Sequence, residues 1–257
     1  MLILIAESKT MLEDQRIITA ESLKSHLPAG EEQAAEIMKR LENLSQHDLI
    51  GETGFSTSLA AKLRQMIYEF PNKALGEKAI TAYTGVVFRA FGYDSLSDSE
   101  RALCDKDVRI VSSLYGLLRP DDIIKPYRLD FTTKAAPNGI PLNTFWKKDV
   151  TIQLVKTIRN ECYKDLLNLL PADAAKCIDW KIVKRFCKVW KADFVEVTDD
   201  CSTKTPATNK LKTMRGKLLR QILSEGISSP AELKTFKSDD LICEGTPVYA
   251  DHLQFLC

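Results

Sequence analysis

The chain has 257 residues, of which 44% are hydrophobic and 28% are charged, and its formal net charge is +1. This composition is typical of a globular protein, and it excludes a disordered chain and an overall polycation. Any contact with nucleic acid must therefore come from basic residues that are concentrated on part of the surface. The length fits one or two domains. Because the sequence has no internal repeat and no flexible linker, we predict one domain over residues 1–257.

The cysteine and histidine content does not favour a metal site. The chain has seven cysteines and three histidines, no C-x-x-C pair, and no histidine at metal-ligand spacing from a cysteine. We therefore expect no metal and no cofactor. An odd number of cysteines without a signal peptide is typical of reduced thiols, which favours a cytoplasmic protein. The apolar start, residues 1–6, is too short for a signal peptide or a membrane span, so we expect no contact with a membrane.

Residues 2–6 form a continuous apolar run, which predicts a β-strand that is covered on both faces. A polar loop, residues 7–10, follows this strand. In mixed sheets, ligands bind at loops that follow the strands, so Lys9 and Thr10 are candidate ligand contacts. The alternative is a simple turn with no role in binding.

Two amphipathic segments, residues 31–44 and residues 59–69, predict helices. The segment between them is predicted to be broken by Gly51 and Gly54. Two helices joined by a glycine-containing turn are found in DNA-binding helix-hairpin-helix motifs, where backbone amides contact phosphate. The alternative, ordinary packing of two helices on a core, is the more common use of this pattern.

Residues 108–118 are mostly apolar and predict a buried strand or the end of a helix. Pro120 and Pro126 follow, and each proline restricts the residue before it to extended or turn geometry. The loop therefore presents basic side chains and a tyrosine from a stiff backbone, which suits the binding of an anion. These residues are Arg119, Lys125, Tyr127 and Arg128. The alternative is a surface loop in which the basic residues pair with nearby aspartates such as Asp122.

Residues 147–169 carry apolar side chains at helical spacing and predict one long, half-buried helix that ends before Pro171. Phe145 and Trp146 precede this helix and are expected to be core aromatics. Stacking of a nucleic-acid base on either ring is the alternative.

Charge is segregated in the last third of the chain. Residues 181–191 contain five basic residues and residues 204–220 contain six, and neither segment contains an acidic residue. Residues 194–198 predict a strand, and residues 209–223 predict a helix whose basic side chains, including Lys212 and Arg215, point away from its apolar face. A solvated helix face is the alternative. The absence of acidic residues one turn away within the segment favours binding of an anion.

Short motifs along the chain resemble those of the bacterial peroxide stress protein YaaA family. The most specific motif is Leu-Tyr-Gly-Leu-Leu-Arg-Pro at residues 114–120, followed by Pro-Tyr-Arg-Leu at residues 126–129. The other matches, in chain order, are Lys9-Thr10, Thr84-Gly85, Phe145-Trp146, Lys212 and Arg215-Gly216. Together the matches span nearly the whole chain. The resemblance implies a mixed α/β (α+β) fold: a single compact domain in which helices flank a mixed sheet beside a basic cleft.

The chain also departs from the family pattern. Val86 stands where the family has an acidic residue, and a serine and an aromatic pair near Pro171 are missing. Lys176 matches a lysine of the family in this region. The family has a strand here, which implies an alternative to one long helix: the helix ends before Leu166 and a strand runs to Leu170.

The basic segments and the resemblance favour a cytoplasmic protein of the peroxide stress response that binds DNA without sequence preference and limits iron-driven damage. Any effect on iron is expected to be indirect, and no protein partner is predicted. The alternative is an enzyme that acts on a nucleotide or another phosphorylated small molecule in the same anion pocket. The sequence has no nucleotide-binding glycine loop and no recognisable catalytic set. No motif therefore assigns an enzymatic activity, and both functions are retained as hypotheses.

The candidate nucleic-acid or anion-binding residues are Lys9, Thr10, Arg119, Lys125, Tyr127, Arg128, Lys176, Lys212 and Arg215. We expect the basic residues among them to converge on one concave surface.

Overall fold

A mixed β-sheet forms the centre of the structure. The computed structural model describes residues 1–12, 16–17, 26–72, 75–198, 202–238, 241–243 and 251–257. Its strands are β1 (Leu2–Ala6), β2 (Arg16–Ile17), β3 (Leu75–Lys78), β4 (Val108–Ser112), β5 (Gly116–Leu118), β6 (Ile123–Ile124), β7 (Asp165–Asn168), β8 (Lys188–Val197), β9 (Thr203–Lys204), β10 (Ile242–Cys243) and β11 (His252–Leu256). The main sheet has the order β10-β11-β8-β7-β1-β4-β5, with β9 paired to β8, and a smaller sheet has the order β2-β3-β6.

Strands β11, β8, β7, β1 and β4 run parallel, and β10, β9 and β5 pair with them in the antiparallel direction. β1 lies between β4 and β7, and residues 2–5 expose no more than 1% of their surface. The predicted buried strand is therefore confirmed. Ala6 is opposite Val111 of β4, and Leu4 is opposite Asn168 of β7, so the carboxyl ends of these three strands lie at one edge of the sheet.

Helices pack on the sheet and on one another. They are α1 (Glu31–Glu42), α2 (Gln46–Thr53), α3 (Thr57–Glu69), α4 (Ala79–Ala82), α5 (Val86–Phe91), α6 (Asp98–Asp107), α7 (Leu142–Phe145), α8 (Lys147–Asn160), α9 (Ala172–Ala175), α10 (Trp180–Val183), α11 (Thr208–Ser224) and α12 (Pro230–Leu233). One cluster of buried apolar side chains extends through the described residues from β1 to β11. The fold is mixed α/β, as predicted.

The segment between the two predicted N-terminal helices is itself a helix. Gly51 lies inside α2, so the prediction that it breaks the chain is wrong, whereas Gly54 does end that helix in a left-handed conformation, with φ of +68°. Leu41, Leu49 and Leu63, one from each of the three helices, are fully buried. The three helices therefore pack their apolar faces on the core, which is the alternative interpretation given above for this segment.

Residues 108–118 form two antiparallel strands, β4 and β5, rather than one continuous element. Gly116 begins β5 with φ of +74°, and a Cβ atom there would lie 2.7 Å from Cε3 of Trp146. Trp146 is fully buried, and its indole Nε1 donates a hydrogen bond of 2.8 Å to the Ser113 carbonyl. This aromatic is a core residue, as expected, and it supports the chain where β4 ends.

The single long helix predicted over residues 147–169 is wrong. The helix ends at Asn160, and strand β7 follows after a turn in which Cys162 has φ of 55°. β7 pairs with β1 on one side and with β8 on the other. Hydrogen bonding to two neighbouring strands therefore stabilises a strand here, although the local apolar spacing is that of a helix. The family's strand at this position implied this result.

The first basic segment, residues 181–191, spans the end of α10 and the start of β8, and the second, residues 204–220, runs from the end of β9 into α11. Strand β8 spans ten residues and begins at Lys188, earlier than the predicted start at residue 194, because its alternate apolar side chains are buried in the sheet. Helix α11 confirms the helix predicted over residues 209–223. Within the described part of the chain, no helix has the length and apolar composition that spanning a bilayer requires.

Candidate functional site

The ends of β1 and β4 bring Glu7 against the start of the loop after β4. The Glu7 backbone N–H donates to the Val111 carbonyl at 2.9 Å. In return, the Ser113 backbone N–H donates to Glu7 Oε2 at 2.7 Å. The parallel register of the two strands therefore fixes the Glu7 carboxyl group at the edge of the sheet where ligands bind in folds of this kind.

A network of hydroxyl groups lies behind this carboxyl group. The Tyr127 hydroxyl donates a hydrogen bond to Glu7 Oε2. The Ser112 and Tyr83 hydroxyls each lie 2.7 Å from the Tyr127 oxygen and can both donate to it. Ser112, Tyr83 and Tyr127 are buried, so the network holds Glu7 from the protein interior.

Burial raises the pKa of Glu7 from 4.5 to about 7, although the hydrogen bonds from Tyr127 and Ser113 oppose this shift. The negative charge of Asp130 contributes to the increase. Burial also raises the pKa of Tyr127 well above its ordinary value, so the phenol stays protonated at neutral pH. Glu7 can therefore either hold or release a proton near pH 7.

Glu7 lies in the wall of a cavity of about 430 Å³, which we call the strand-end cavity. The loop after β1, helix α5, the segment around α9 and helix α11 enclose it. Its charged lining residues are Glu7, Lys9, Arg89, Asp130, Asp173 and Lys212. The cavity thus combines three basic and three acidic side chains, rather than basic residues alone.

Two glycines allow the elements around this cavity to approach closely. A Cβ atom on Gly85 would lie 1.9 Å from Ser8 Oγ, and a Cβ atom on Gly216 would lie 2.3 Å from the Val87 carbonyl oxygen. Gly85 precedes α5 and Gly216 lies in α11. Glycine at both positions therefore lets α5 fit between the Ser8 loop and α11, and this packing brings Lys212 to the cavity.

Lys9, Thr10 and Lys212 all line the strand-end cavity. Lys9 Nζ lies 2.6 Å from Asp130 Oδ1, which is an ion pair across the cavity wall. Arg128 does not line this cavity; its Nη1 donates to the Lys9 carbonyl at 2.7 Å, and its guanidinium lies over the Phe55 ring. Arg128 thus supports the loop that carries Lys9.

Two residues of the predicted anion-binding loop bind other protein groups instead. Arg119 Nε lies 2.9 Å from Asp122 Oδ1 and 3.6 Å from Asp121 Oδ1. The Lys125 ammonium group is buried, donates to the Phe70 carbonyl and lies 5.0 Å from the centre of the Phe70 ring. Neither residue is among those that line the strand-end cavity. For Arg119, the structure therefore agrees with the alternative interpretation, in which the basic residue pairs with nearby aspartates.

Arg215 lines an adjacent cavity of about 650 Å³, together with Asn168, Lys191 and His252. Burial lowers the pKa of the Arg215 guanidinium, and the nearby Asp173 carboxylate opposes this shift. Since Asp173 also lines the strand-end cavity, the two cavities lie side by side. Lys176 follows α9, is exposed and lines neither cavity.

The predicted basic residues therefore converge only in part. Lys9 and Lys212 share one cavity, Arg215 lies beside it, and Arg119 and Lys125 are held elsewhere. Glu7, the half-buried acid of the site, was not among the predicted site residues. Its position directly after a fully buried strand was the signal that could have identified it.

In the part of the chain that the structure describes, no three His, Cys, Asp or Glu side chains are grouped so that they could hold a metal ion.

Comparison with known proteins identifies relatives over almost the full length of the chain. The family model described as peroxide stress protein YaaA matches residues 1–245. Proteins named UPF0246 protein from Parabacteroides distasonis and Rickettsia felis are each 30% identical to the chain, over 238 and 236 residues. Each alignment covers 92% of this chain and 91% of the relative.

A UPF0246 protein from Burkholderia ambifaria is 28% identical over 226 residues, which is 84% of each chain. The resemblance in the short motifs is thus confirmed by a family match over residues 1–245. The chain belongs to the YaaA family of peroxide stress proteins.

Proposed function

We propose that the chain acts in the response to peroxide by binding a nucleotide or another phosphorylated small molecule in the strand-end cavity. One observation carries this proposal: the Glu7 carboxyl group and the side chains of Lys9 and Lys212 line one cavity at the carboxyl ends of parallel strands. Crevices at this edge of a sheet are where ligands bind in open α/β folds.

The size and chemistry of the cavity support a small ligand. A volume of about 430 Å³ lies within the range of small-molecule sites. Among the described residues, no carboxylate forms an ion pair with Lys212, so its ammonium group is available to a phosphate. The hydroxyl groups of Ser8 and Thr10 add hydrogen-bonding groups beside it.

A proton-exchanging role follows for Glu7. Its pKa of about 7 provides both protonation states at neutral pH, which is the condition for general acid–base catalysis. Tyr127 does not line the cavity, and its part is to position the Glu7 carboxyl group. A perturbed acid in a cavity with basic neighbours favours an enzyme over a simple binding protein.

Calorimetric titration of the full chain with AMP, ADP, ATP and inorganic pyrophosphate tests the proposal. We expect at least one of these compounds to bind, and Lys212→Ala to weaken its binding about tenfold or more, because a charge-assisted hydrogen bond to phosphate is lost. Lys39→Ala is the matched control, since Lys39 is an exposed lysine on α1 that does not line the cavity. Absence of binding by all four compounds, or equal binding by Lys212→Ala, would contradict the proposal.

The second candidate function is non-specific DNA binding, and one observation favours it. Within the described residues, Lys176, Lys212 and Arg215 form no ion pair with a carboxylate, and all three lie near α9 and α11. A polyanion could contact these groups together without reading base sequence. The proposal predicts that DNA affinity falls with salt, and that the slope of log K against log salt becomes less steep by about 0.9 for each phosphate contact removed. Lys176→Gln, Lys212→Gln and Arg215→Gln, made singly and together, test this, and an unchanged slope would exclude the three residues as phosphate contacts.

We propose that any effect of this chain on free iron is indirect, since the described residues contain no group of side chains that could hold a metal ion. Metal analysis of the purified chain after exposure to ferrous iron tests this point. Iron retained in a one-to-one ratio would contradict it.

A further inference from the structure

A groove that runs along the whole length of α8 is separate from the strand-end cavity. It lies between α8 and α10 and has a volume of about 910 Å³. None of its lining residues lines the strand-end cavity. We call it the helix groove.

The floor of the helix groove is apolar and open to solvent. Ile152 is 56% exposed, Ile182 is 40% exposed and Phe186 is 43% exposed. Together with Val155 they line the groove. Among the described residues, eight large hydrophobic side chains are exposed, and three of them are in this groove. Such a concentration of exposed apolar surface is typical of an interaction site.

Ile152 is not part of the core face of α8. That face carries Val150, Leu154 and Ile158, which are buried in the core. Thr151 is buried but also lines the groove, and Val155 is partly buried against the core. Ile152 and Lys156 are one turn apart on the exposed side. The exposed apolar residue is therefore not a consequence of packing against the sheet.

Four of the five charged residues that line the helix groove are basic. These four, which we call the basic rim, are Lys147, Lys148, Lys156 and Arg159. In the described ranges, none of these four forms an ion pair with a carboxylate. The acidic residue that lines the groove is Asp179, and its carboxylate accepts a hydrogen bond from the Lys181 backbone N–H at the start of α10.

From this arrangement we propose that the helix groove binds an acidic amphipathic helix of a partner protein. Apolar side chains on one face of the partner helix would cover Ile152, Ile182 and Phe186, and its carboxylates would pair with the basic rim. This is the geometry in which amphipathic helices bind to hydrophobic grooves. α8 has 14 residues and is about 20 Å long, which matches roughly four turns of a partner helix.

Three other occupants fit the groove less well. The floor contains three aliphatic side chains and one aromatic ring, whereas single-stranded nucleic acid binds through successive aromatic platforms. A lipid bilayer is flat, whereas this surface is concave. A second copy of the chain, paired about a two-fold axis, would place one basic rim against another.

Selection of peptides on the full-length chain tests the proposal. The probe is a display library of 14-residue peptides in which every position samples Ala, Leu, Phe, Gln, Glu and Lys, so that no charge is imposed. We expect enriched peptides to carry Leu or Phe at positions i, i+3 or i+4 and i+7, with Glu in large excess over Lys elsewhere. A synthetic peptide of the enriched sequence should bind at least tenfold more weakly to Ile152→Ser/Phe186→Ser and to Lys156→Glu/Arg159→Glu.

Two control variants match these substitutions in exposure and chemistry. Tyr68→Ser removes an exposed large side chain from α3, and Lys39→Glu reverses an exposed lysine in the last turn of α1. Both should bind the peptide as the unchanged chain does. All variants should keep their circular dichroism spectrum, because every substituted side chain is exposed.

Several outcomes would overturn the proposal. They are failure to enrich any helical peptide, enrichment without an excess of Glu, and peptide binding that the groove substitutions leave unchanged. Binding of a dT12 oligonucleotide that is lost in Lys156→Glu/Arg159→Glu, with no peptide enriched, would assign the groove to nucleic acid. The same loss measured with phosphatidylglycerol vesicles would assign it to a membrane surface.

Discussion

The strand-end cavity and the helix groove are two concave surfaces of one molecule, and they are built differently. The strand-end cavity lies at the ends of buried parallel strands, and its acidic residue Glu7 is tied to the core through Tyr127 and Ser113. The helix groove lies between α8 and α10, and its apolar floor residues Ile152, Ile182 and Phe186 are exposed. The first surface has mixed charge, whereas the second has a basic rim over an apolar floor.

This difference indicates where stability and function depend on the same residues in this fold. Substitutions behind the strand-end cavity should change folding as well as any chemistry there, since the same residues serve both. Substitutions in the helix groove should change binding alone.

The largest effect is expected for Trp146→Ala. Trp146 is fully buried, fills the space beside Gly116 and donates to the carbonyl of Ser113, whose backbone N–H in turn donates to Glu7. Removing a buried aromatic of this size should lower the free energy of unfolding by about 3–5 kcal/mol. Urea denaturation measures the loss, and Phe186→Ala in the helix groove is the control with an exposed aromatic. A loss below about 1 kcal/mol would show that the site does not depend on this part of the core.

The next effect concerns pH and Glu7. The folded-state pKa of Glu7 is about 7 and its ordinary value is 4.5, so the folded chain keeps a proton that the unfolded chain releases. The stability that this proton provides is fully present below about pH 4.5 and is lost as the pH rises to about 7. The free energy of unfolding of Glu7→Gln, minus that of the unchanged chain, should therefore rise by an amount on the order of 3 kcal/mol across this range.

Denaturation of the two proteins at several pH values measures this difference. Groups other than Glu7 titrate in both proteins, and their contributions cancel in the subtraction. A difference that stays constant with pH would show that Glu7 is not held in a buried environment.

A smaller loss is expected for Gly85→Ala. The added Cβ would overlap Ser8 Oγ, which must move together with the loop that carries Lys9 and Thr10. Overpacking of this kind costs about 1–3 kcal/mol, and the displaced loop should also weaken ligand binding. Gly51→Ala is the matched control: its Cβ meets no atom within 4 Å and it lies inside α2, so it should stabilise the chain by about 0.5–1 kcal/mol. Equal effects of the two substitutions, measured by thermal unfolding, would contradict the close packing at Gly85.

The smallest effect is expected in the helix groove. Ile152→Ser and Lys156→Glu change exposed side chains on one face of α8, so each should alter the free energy of unfolding by no more than about 0.5 kcal/mol. Chemical denaturation under the conditions used for Trp146→Ala measures both. A loss above about 1.5 kcal/mol would mean that the groove residues contribute to the core, and the contrast between the two surfaces would fail.

Local sequence patterns were sufficient to predict the position of those elements whose apolar residues are the ones that become buried. β1, α1 and α11 lie where the patterns predict them. The pattern failed at residues 147–169, because apolar residues that continue the helical spacing of α8 instead pair in β7. It failed again at Gly51, because glycine lowers the stability of a helix without preventing it.

The candidate site was predicted less completely than the fold. The sequence identified Lys9, Thr10 and Lys212, which line one cavity, but it also grouped Arg119 and Lys125 with them. Composition and spacing identify a basic side chain. They do not show whether its charged group already binds a carboxylate or a carbonyl group of the protein. The ion pair of Arg119 with Asp122 and the burial of Lys125 against Phe70 are visible only in three dimensions.

The sequence by itself determined the family, the central apolar strand and the basic character of α11. Each of these depends on residues that are close together in the chain or on motifs of fixed order. Only the folded chain shows that the Glu7 carboxyl group accepts a hydrogen bond from the Tyr127 hydroxyl, 120 residues away. Only the folded chain shows that Glu7 keeps its proton to near neutral pH. The physical reason is that a pKa, an ion pair or a cavity depends on which distant groups surround a side chain, and only the folded chain brings those groups together.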